Sequence, residues 1–137
     1  MPDNGLRGSC LCGAVGYEVE GDPGSFYRCH CRRCRKATGT GHASNIMVRD
    51  GQLRFTRGAE RVRAFKVPDA QRFTRQFCGV CGSLLPRVVT ETGAVIIPAG
   101  SLDCAVSIRP QARIFWRSRA PWSCGDDDIP VFPEYPA

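Results

Sequence analysis

The sequence has no long apolar run, and this absence predicts that no helix crosses a membrane. Its first ten residues, MPDNGLRGSC, lack the apolar segment that a secretory signal carries. We therefore expect a cytoplasmic protein without a membrane partner. The sequence also lacks a Ser–His–Asp set, a phosphate-binding glycine loop and a dinucleotide fingerprint, so none of these common sites competes for an interpretation.

Lysine is scarce as well, since Lys36 and Lys66 are the two lysines among 19 basic residues. We interpret the arginine excess as a coding bias, although the formal net charge is +6. The alternating aromatic residues of a single-strand nucleic-acid reader are missing between Arg28 and Arg75, which makes nucleic acid an unlikely partner. The 137 residues fit one domain, covering 1–137, and the oligomeric state is not indicated.

Cysteine, in contrast, is abundant, with nine residues. In a reducing compartment such residues are metal ligands or free thiols more often than disulfides. Seven of them form three tight groups with C-x-C and C-x-x-C spacing, which favours a shared metal ion. The groups are Cys10-x-Cys12, Cys29-x-Cys31-x-x-Cys34 and Cys78-x-x-Cys81. Seven ligands make one closed four-thiolate zinc site and one three-thiolate site with an open position.

The outer two groups predict the closed site. Cys10 and Cys12 precede a predicted strand, whereas Cys78 and Cys81 follow one. Short-spaced pairs from distant parts of a chain commonly complete one four-cysteine zinc site, and such a site contributes directly to folding. We expect a structural Zn²⁺ on these four residues.

The middle group, Cys29, Cys31 and Cys34, has no partner pair left. The ligand in its fourth position could be water, a substrate or one of four side chains of the same chain. Those side chains are His30, His42, Cys104 and Cys124. Because side chains alternate in an extended segment, we interpret His30 as a second-layer or surface residue. We interpret Cys104 and Cys124 as small packed residues.

A zinc ion with three thiolates and water carries a net charge of about −1 and is a poor generator of hydroxide. It suits a soft fourth ligand, namely an incoming thiol that loses its proton and becomes a nucleophile. We therefore assign Cys29, Cys31 and Cys34 as catalytic metal ligands. Basic residues around them could hold the carboxylates of an acidic thiol. These are Arg28, Arg32, Arg33, Arg35 and Lys36.

The secondary-structure pattern is mainly β with one short helix near Arg32 to Ala37. Alternating apolar residues predict a strand across 14–20. Turn signals predict three hairpins. Their strands are Ile46–Val48 and Leu53–Phe55 around Asp50-Gly51, Val62–Lys66 and Arg72–Phe77 around Pro68-Asp69, and Leu84–Val89 and Ala94–Pro98 around 91–93. A further strand is expected at 114–116, and an irregular tail from Pro121. The phenylalanines are interpreted as core residues, namely Phe55, Phe65, Phe73, Phe77 and Phe115. For Trp116 and Trp122 packing is favoured over a pocket role.

The three cysteine motifs together resemble the glutathione-dependent formaldehyde-activating enzyme family, which includes the centromere-protein-V-like domains. The motifs read GSCLCG from Gly8, CHCRRC from Cys29 and FCGVCGS from Phe77. Gly100-Ser101-Leu102-Asp103 and Arg119-Ala120-Pro121-Trp122 are similar to the family as well. The resemblance implies a β-tent fold of coiled antiparallel sheets with zinc knuckles. It also implies a carbon–sulfur lyase-type enzyme that joins glutathione to formaldehyde.

Two other functions stay open at this stage. One is a binding module with two structural zinc ions, the second closed by Cys104, Cys124 or a histidine, which contacts an acidic protein or nucleic acid. The other is a redox or metal-handling protein in which residues Cys29 to Cys34 form a labile thiol cluster. Because one scaffold can carry several reactions, the motifs alone do not fix the substrate.

Overall fold

The computed structural model describes residues 5–70, 73–123 and 128–136. Within these ranges the chain is mainly β, as predicted, with one α-helix. The elements are β1 (Leu6–Ser9), β2 (Gly16–Glu20), β3 (Pro23–Cys29), α1 (Arg32–Thr38), β4 (Ala43–Val48), β5 (Gln52–Arg57), β6 (Val62–Lys66), β7 (Thr74–Cys78), β8 (Leu84–Leu85), β9 (Arg87–Val89), β10 (Ala94–Pro98) and β11 (Ala112–Ile114). No helix among the described residues is long and apolar enough to cross a membrane.

The strands form three sheets, ordered β1-β2-β5, β11-β3-β4-β10-β9 and β6-β7-β8. All pairs are antiparallel except β11 with β3, which is parallel. The core lies where the sheets meet. Its fully buried side chains follow the period of two that a strand requires, because Ile46 and Val48 of β4 lie directly opposite Ile97 and Val95 of β10.

The predicted hairpin at Asp50-Gly51 is wrong. The turn exists, with Asp50 at a φ of 52°, but β4 and β5 belong to different sheets. Strand β4 pairs with β3 on one edge and with β10 on the other, so neither edge is free for β5. The chain therefore leaves the five-stranded sheet at this turn, and β5 pairs with β2.

The other two hairpins are present. β6 pairs with β7 around the predicted Pro68-Asp69 turn, although Arg72 lies outside the described residues. β9 pairs with β10, but the strand predicted before it is divided at Pro86. Proline has no backbone N–H to donate to a ladder. On one side of it β8 joins β7, and on the other β9 joins β10.

The helix and the chain's last segments agree in part with expectation. Helix α1 begins after its N-cap Cys31 and ends at Gly39. The strand expected at 114–116 occurs at Ala112–Ile114, and a short 3₁₀ turn follows at Trp116–Ser118. The described part of the tail, 121–123 and 128–136, contains no strand or helix. The boundary of a single domain over 1–137 stays a prediction.

Candidate metal centre and active site

The structure brings the seven predicted ligands into two clusters, with the membership that their spacing indicated. Sulfur atoms of Cys10, Cys12, Cys78 and Cys81 lie within 4.8 Å of one another, and so do those of Cys29, Cys31 and Cys34. Both clusters could therefore hold a metal ion, and all-thiolate ligand sets are compatible with zinc.

The four-cysteine cluster has the dimensions of a tetrahedral site. The Sγ atoms of Cys10 and Cys12 are 3.6 Å apart, and those of Cys12 and Cys78 are 3.9 Å apart. Zinc–sulfur bonds of about 2.3 Å in a regular tetrahedron place neighbouring sulfurs about 3.8 Å apart. Both distances are therefore compatible with a four-thiolate Zn²⁺ site.

Two similar turns present these sulfurs, one from β1 and one from β7. Gly13 N–H donates to the Cys10 carbonyl at 3.1 Å, and Gly82 N–H donates to the Cys78 carbonyl at 2.8 Å. Both glycines have a left-handed φ, 81° and 79°, which costs glycine little. The cluster ties the three-stranded sheet β1-β2-β5 to the sheet β6-β7-β8.

Hydrogen bonds reach three sulfurs of the four-cysteine cluster. The Val15 N–H donates to Cys10 Sγ at 3.3 Å, and the Val80 N–H donates to Cys78 Sγ at 3.3 Å. Cys81 Sγ lies 3.2 Å from the Ser83 hydroxyl. Hydrogen bonds from Ser83 lower the pKa of Cys81 to about 5.

The three-cysteine cluster is built where β3 passes into α1. Cys29 is the last residue of β3, and Cys31 caps the helix by accepting the Cys34 N–H at 3.3 Å. The hydrogen bond from Cys34 lowers the pKa of Cys29 to about 6, and that same bond together with burial raises the pKa of Cys34. Three sulfurs this close cannot all ionise without a cation, so the cluster is suited to binding one.

A cavity of about 480 Å³ opens beside this cluster, and all three cysteines line it. Its other walls are mostly apolar and come from β3, β4, β10 and β11, with two arginines of α1. They are Ser25, Tyr27, Arg32, Arg33, Asn45, Met47, Phe73, Arg87, Ile96, Ile114, Phe115 and Ser118. The cavity next to the other cluster, in contrast, is lined by Cys10 alone among its four cysteines. The three-cysteine cluster is therefore the one whose sulfur-bearing residues all line a cavity, whereas the cavity of about 580 Å³ beside the other cluster reaches Cys10 alone.

Three of the four side chains considered as a fourth ligand lie outside this cluster, namely His30, His42 and Cys104. His30 and His42 are not among the grouped ligands, and Cys124 lies outside the described residues. Cys104 packs against the hydrophobic core, and its Sγ accepts the Arg7 N–H at 3.4 Å, as expected of a small packed residue.

His30 is 1% exposed, so the surface alternative for it is wrong. Its ring centroid lies 5.2 Å from that of His42 and 5.1 Å from that of Trp116. Burial, and then the nearby guanidinium of Arg113, lower the pKa of His30. It is therefore a neutral packed ring behind the cysteines.

The basic residues predicted to surround the three-cysteine cluster do not all line its cavity. Arg32 and Arg33 line the cavity, whereas Arg28 lines a different one, beside Arg113. The sequence interpretation missed Arg87, which is partly buried in the cavity wall. Burial lowers the pKa of the Arg87 guanidinium, and the negative charge of Cys34 partly offsets this. No local pattern marks Arg87, because its position depends on the break at Pro86.

The aromatic residues were also partly misjudged. Phe73 lines the cavity and packs against the buried cluster of Cys29, Cys34 and Ala43. Phe115 lines the cavity and is 60% exposed, so the core assignment is wrong for it. Phe65 and Trp122 are exposed as well, so packing is wrong for both. Trp116 packs on His30 and has the Arg119 guanidinium 4.5 Å from its ring centroid.

Comparisons with known proteins show which family has this sequence and fold. Residues 5–118 match the model of the family described as glutathione-dependent formaldehyde-activating enzyme. A Halomonas elongata protein, named as a candidate glutathione-dependent formaldehyde-activating enzyme, is 35% identical over 85 residues. That match takes 58% of this chain and spans about half, 54%, of the relative. A crystal structure of a Rhodobacter sphaeroides protein is similar with a TM-score of 0.59 and 25% identity, covering 78% of this chain and 97% of the other. The chain belongs to the glutathione-dependent formaldehyde-activating enzyme family.

Proposed function

We propose that this protein is a zinc-dependent enzyme of the carbon–sulfur lyase type. It adds glutathione, or a related small thiol, to formaldehyde or a similar small electrophile. The observation that carries the proposal is the contrast between the two clusters. Four sulfurs satisfy one metal ion, whereas three sulfurs line a cavity with room for a substrate.

We propose two Zn²⁺ ions, a structural one on Cys10, Cys12, Cys78 and Cys81, and a catalytic one on Cys29, Cys31 and Cys34. The ion held by three sulfurs would supply a soft Lewis-acid position at which a thiol loses its proton. The helix start fixes two of these ligands, because Cys31 caps the segment that carries Cys34. The ligands are therefore preorganised by the fold.

For this reaction the protein has to position the thiol and the electrophile and to supply favourable charge around them. The thiol sulfur forms a bond to the carbonyl carbon, the carbonyl π bond opens, and the thiol proton ends on the oxygen as a hydroxyl. The product is the hydroxymethyl thioether of the thiol. Apolar side chains such as Ile96 and Phe115 limit water around the sulfur, and Arg32 and Arg33 favour an anionic thiol.

The test is the rate of S-hydroxymethylglutathione formation by the zinc-loaded protein, measured above the uncatalysed addition. Cys31→Ser removes one ligand and keeps a side chain that caps helices well. Cys104→Ser is the matched control, because Cys104 lies outside both clusters. We expect loss of activity in the first and full activity in the second. Equal rates in wild type, Cys31→Ser and the blank would remove the proposal.

The alternative of a binding module predicts a different metal environment. Metal-edge spectroscopy would find four sulfurs around both ions if Cys124 or another thiol closed the second site. One ion with three sulfurs and a lighter ligand supports the enzyme. A cytoplasmic location stays a prediction.

A further inference from the structure

Two arginines from different strands lie beside one aromatic ring at the wall of the cavity. Arg75 in β7 and Arg87 in β9 have their guanidinium carbons 5.6 Å and 5.9 Å from the centroid of Phe73. Both side chains are partly buried. Burial lowers the pKa of Arg75; the charge of Cys34 acts to raise it, and the positive charge of Arg87 acts to lower it.

Neither guanidinium forms an ion pair with a carboxylate of the described residues, and the negative charges that act on them are those of Cys31 and Cys34. The ion pair found among the described residues is Arg54 with Glu18, on another part of the molecule. The Nε of Arg75 is shut off from solvent and has no hydrogen-bond partner there. Buried charges in proteins are normally paired, because removing them from water is costly. In the proposed site Cys31 and Cys34 are metal ligands, so two guanidiniums with no carboxylate partner among the described residues point to an anion that enters the cavity.

Arg87 also joins two cavities. It lines the cavity of the three cysteines and a second one of about 570 Å³, and Met47 and Phe73 line both. The second cavity carries both signs of charge, from Arg49 and Asp50. A substrate that begins at the cysteines can therefore continue past Phe73 into a second cavity that carries charged side chains.

We infer that Arg87, with Arg75 behind it, binds a carboxylate of the thiol substrate and selects extended acidic thiols over neutral ones. This inference rests on the proposed function, since it assigns the substrate of that site. Arg87 contacts the carboxylate. Arg75 lines neither cavity and acts through its charge, so its replacement has the smaller effect.

The experiment compares glutathione with its diethyl ester, in which both carboxylates are blocked and the thiol is kept. In Arg87→Gln we expect KM for glutathione to rise about tenfold, the factor of one hydrogen bond to a charged group. KM for the diester should stay unchanged, and Arg87→Lys should recover part of the loss. Arg109→Gln is the control, because Arg109 is exposed and lines none of these cavities. An unchanged KM for glutathione, or equal losses with both thiols, would overturn the inference.

A second measurement separates this inference from the proposed reaction. S-methylglutathione keeps both carboxylates but has no thiol, so its binding to the zinc-loaded protein by calorimetry reports the carboxylate site alone. We expect wild type to bind it and Arg87→Gln to bind it about tenfold more weakly. If this difference appears while no thiol addition is catalysed, the carboxylate site stands and the proposed function fails. If wild type does not bind it, or both proteins bind it equally, the carboxylate site is wrong whatever the rates are.

Discussion

Replacing Cys12 by alanine tests whether the four-cysteine cluster holds a metal that stabilises the fold. The Cys12 side chain is exposed, so it contributes no packing to the core. Substitutions at such positions usually change the free energy of unfolding by about 0.5 kcal/mol or less. Its sulfur nevertheless lies 3.6 Å from that of Cys10 and 3.9 Å from that of Cys78. A large effect on stability at this exposed position therefore indicates a metal ion that Cys12 shares with the other three cysteines.

The size of the effect follows from the binding energy of structural zinc. Such sites contribute about 10–16 kcal/mol in zinc-finger peptides at neutral pH, so one ligand of four accounts for about 3 kcal/mol. For a domain of this size each 1 kcal/mol lowers Tm by about 4 °C. We therefore expect Cys12→Ala to lower Tm by about 12 °C, worked from these two values.

The assay is thermal unfolding of both proteins with zinc present and again after a strong chelator. Leu11→Ala is the matched control, because Leu11 is the neighbouring residue and is 88% exposed. Its Tm should stay within about 2 °C of wild type. The chelator should lower the wild-type Tm far more than that of Cys12→Ala. A Cys12→Ala protein as stable as the Leu11→Ala protein would refute a structural metal at this cluster.

Three further predictions follow from the same geometry. Cys31→Ser should lose one of two metal ions by elemental analysis and lower Tm less than Cys12→Ala does; loss of both ions would contradict separate sites. On acidification the three-cysteine cluster should release its metal first, because protons compete with the metal for the sulfurs and three sulfurs hold an ion less tightly than four; a colorimetric chelator follows the two releases, and the reverse order in wild type, checked against Cys31→Ser, would count against it. Gly82→Ala should cost about 1–2 kcal/mol in urea unfolding because its φ is 79°, whereas Gly100→Ala, with no atom within 4 Å of the added carbon, should be neutral; equal stabilities would contradict the turn geometry.

The cysteine partition could be predicted from the sequence because it depends on local geometry. Sulfurs two or three residues apart must lie close together in any turn. The pairing of the two outer groups was the long-range part of this prediction. It followed from the number of ligands, because two pairs of cysteines together supply the four thiolates of a closed zinc site. The helix was predictable for a similar reason, since its cap Cys31 and its end at Gly39 are local signals.

The predictions that failed are those that depend on which strands pair with each other. Asp50-Gly51 forms a turn, but the edges of β4 are already occupied, so the turn changes sheets instead of closing a hairpin. The position of Arg87 depends in the same way on the separate pairing of β8 and β9. Phe115 was assigned to the core by composition, whereas it lies 60% exposed at the cavity. Side-chain type does not tell which sheet a strand will join.

The register of the sheet explains why the three-cysteine cluster keeps an open side. Cys29 lies opposite Ala43 on β4 and opposite Ile114 on β11, and neither residue carries a metal-binding atom. Because directly paired residues point to the same face, Ala43→Cys would present a fourth sulfur to the cluster. We expect this variant to keep both metal ions, to show four sulfurs at each by metal-edge spectroscopy, and to lose thiol addition. Ala120→Cys, at a buried alanine outside the cluster and outside both cavities, controls for an added thiol. Full activity with four sulfurs at both ions would mean that an open position is not what the reaction requires.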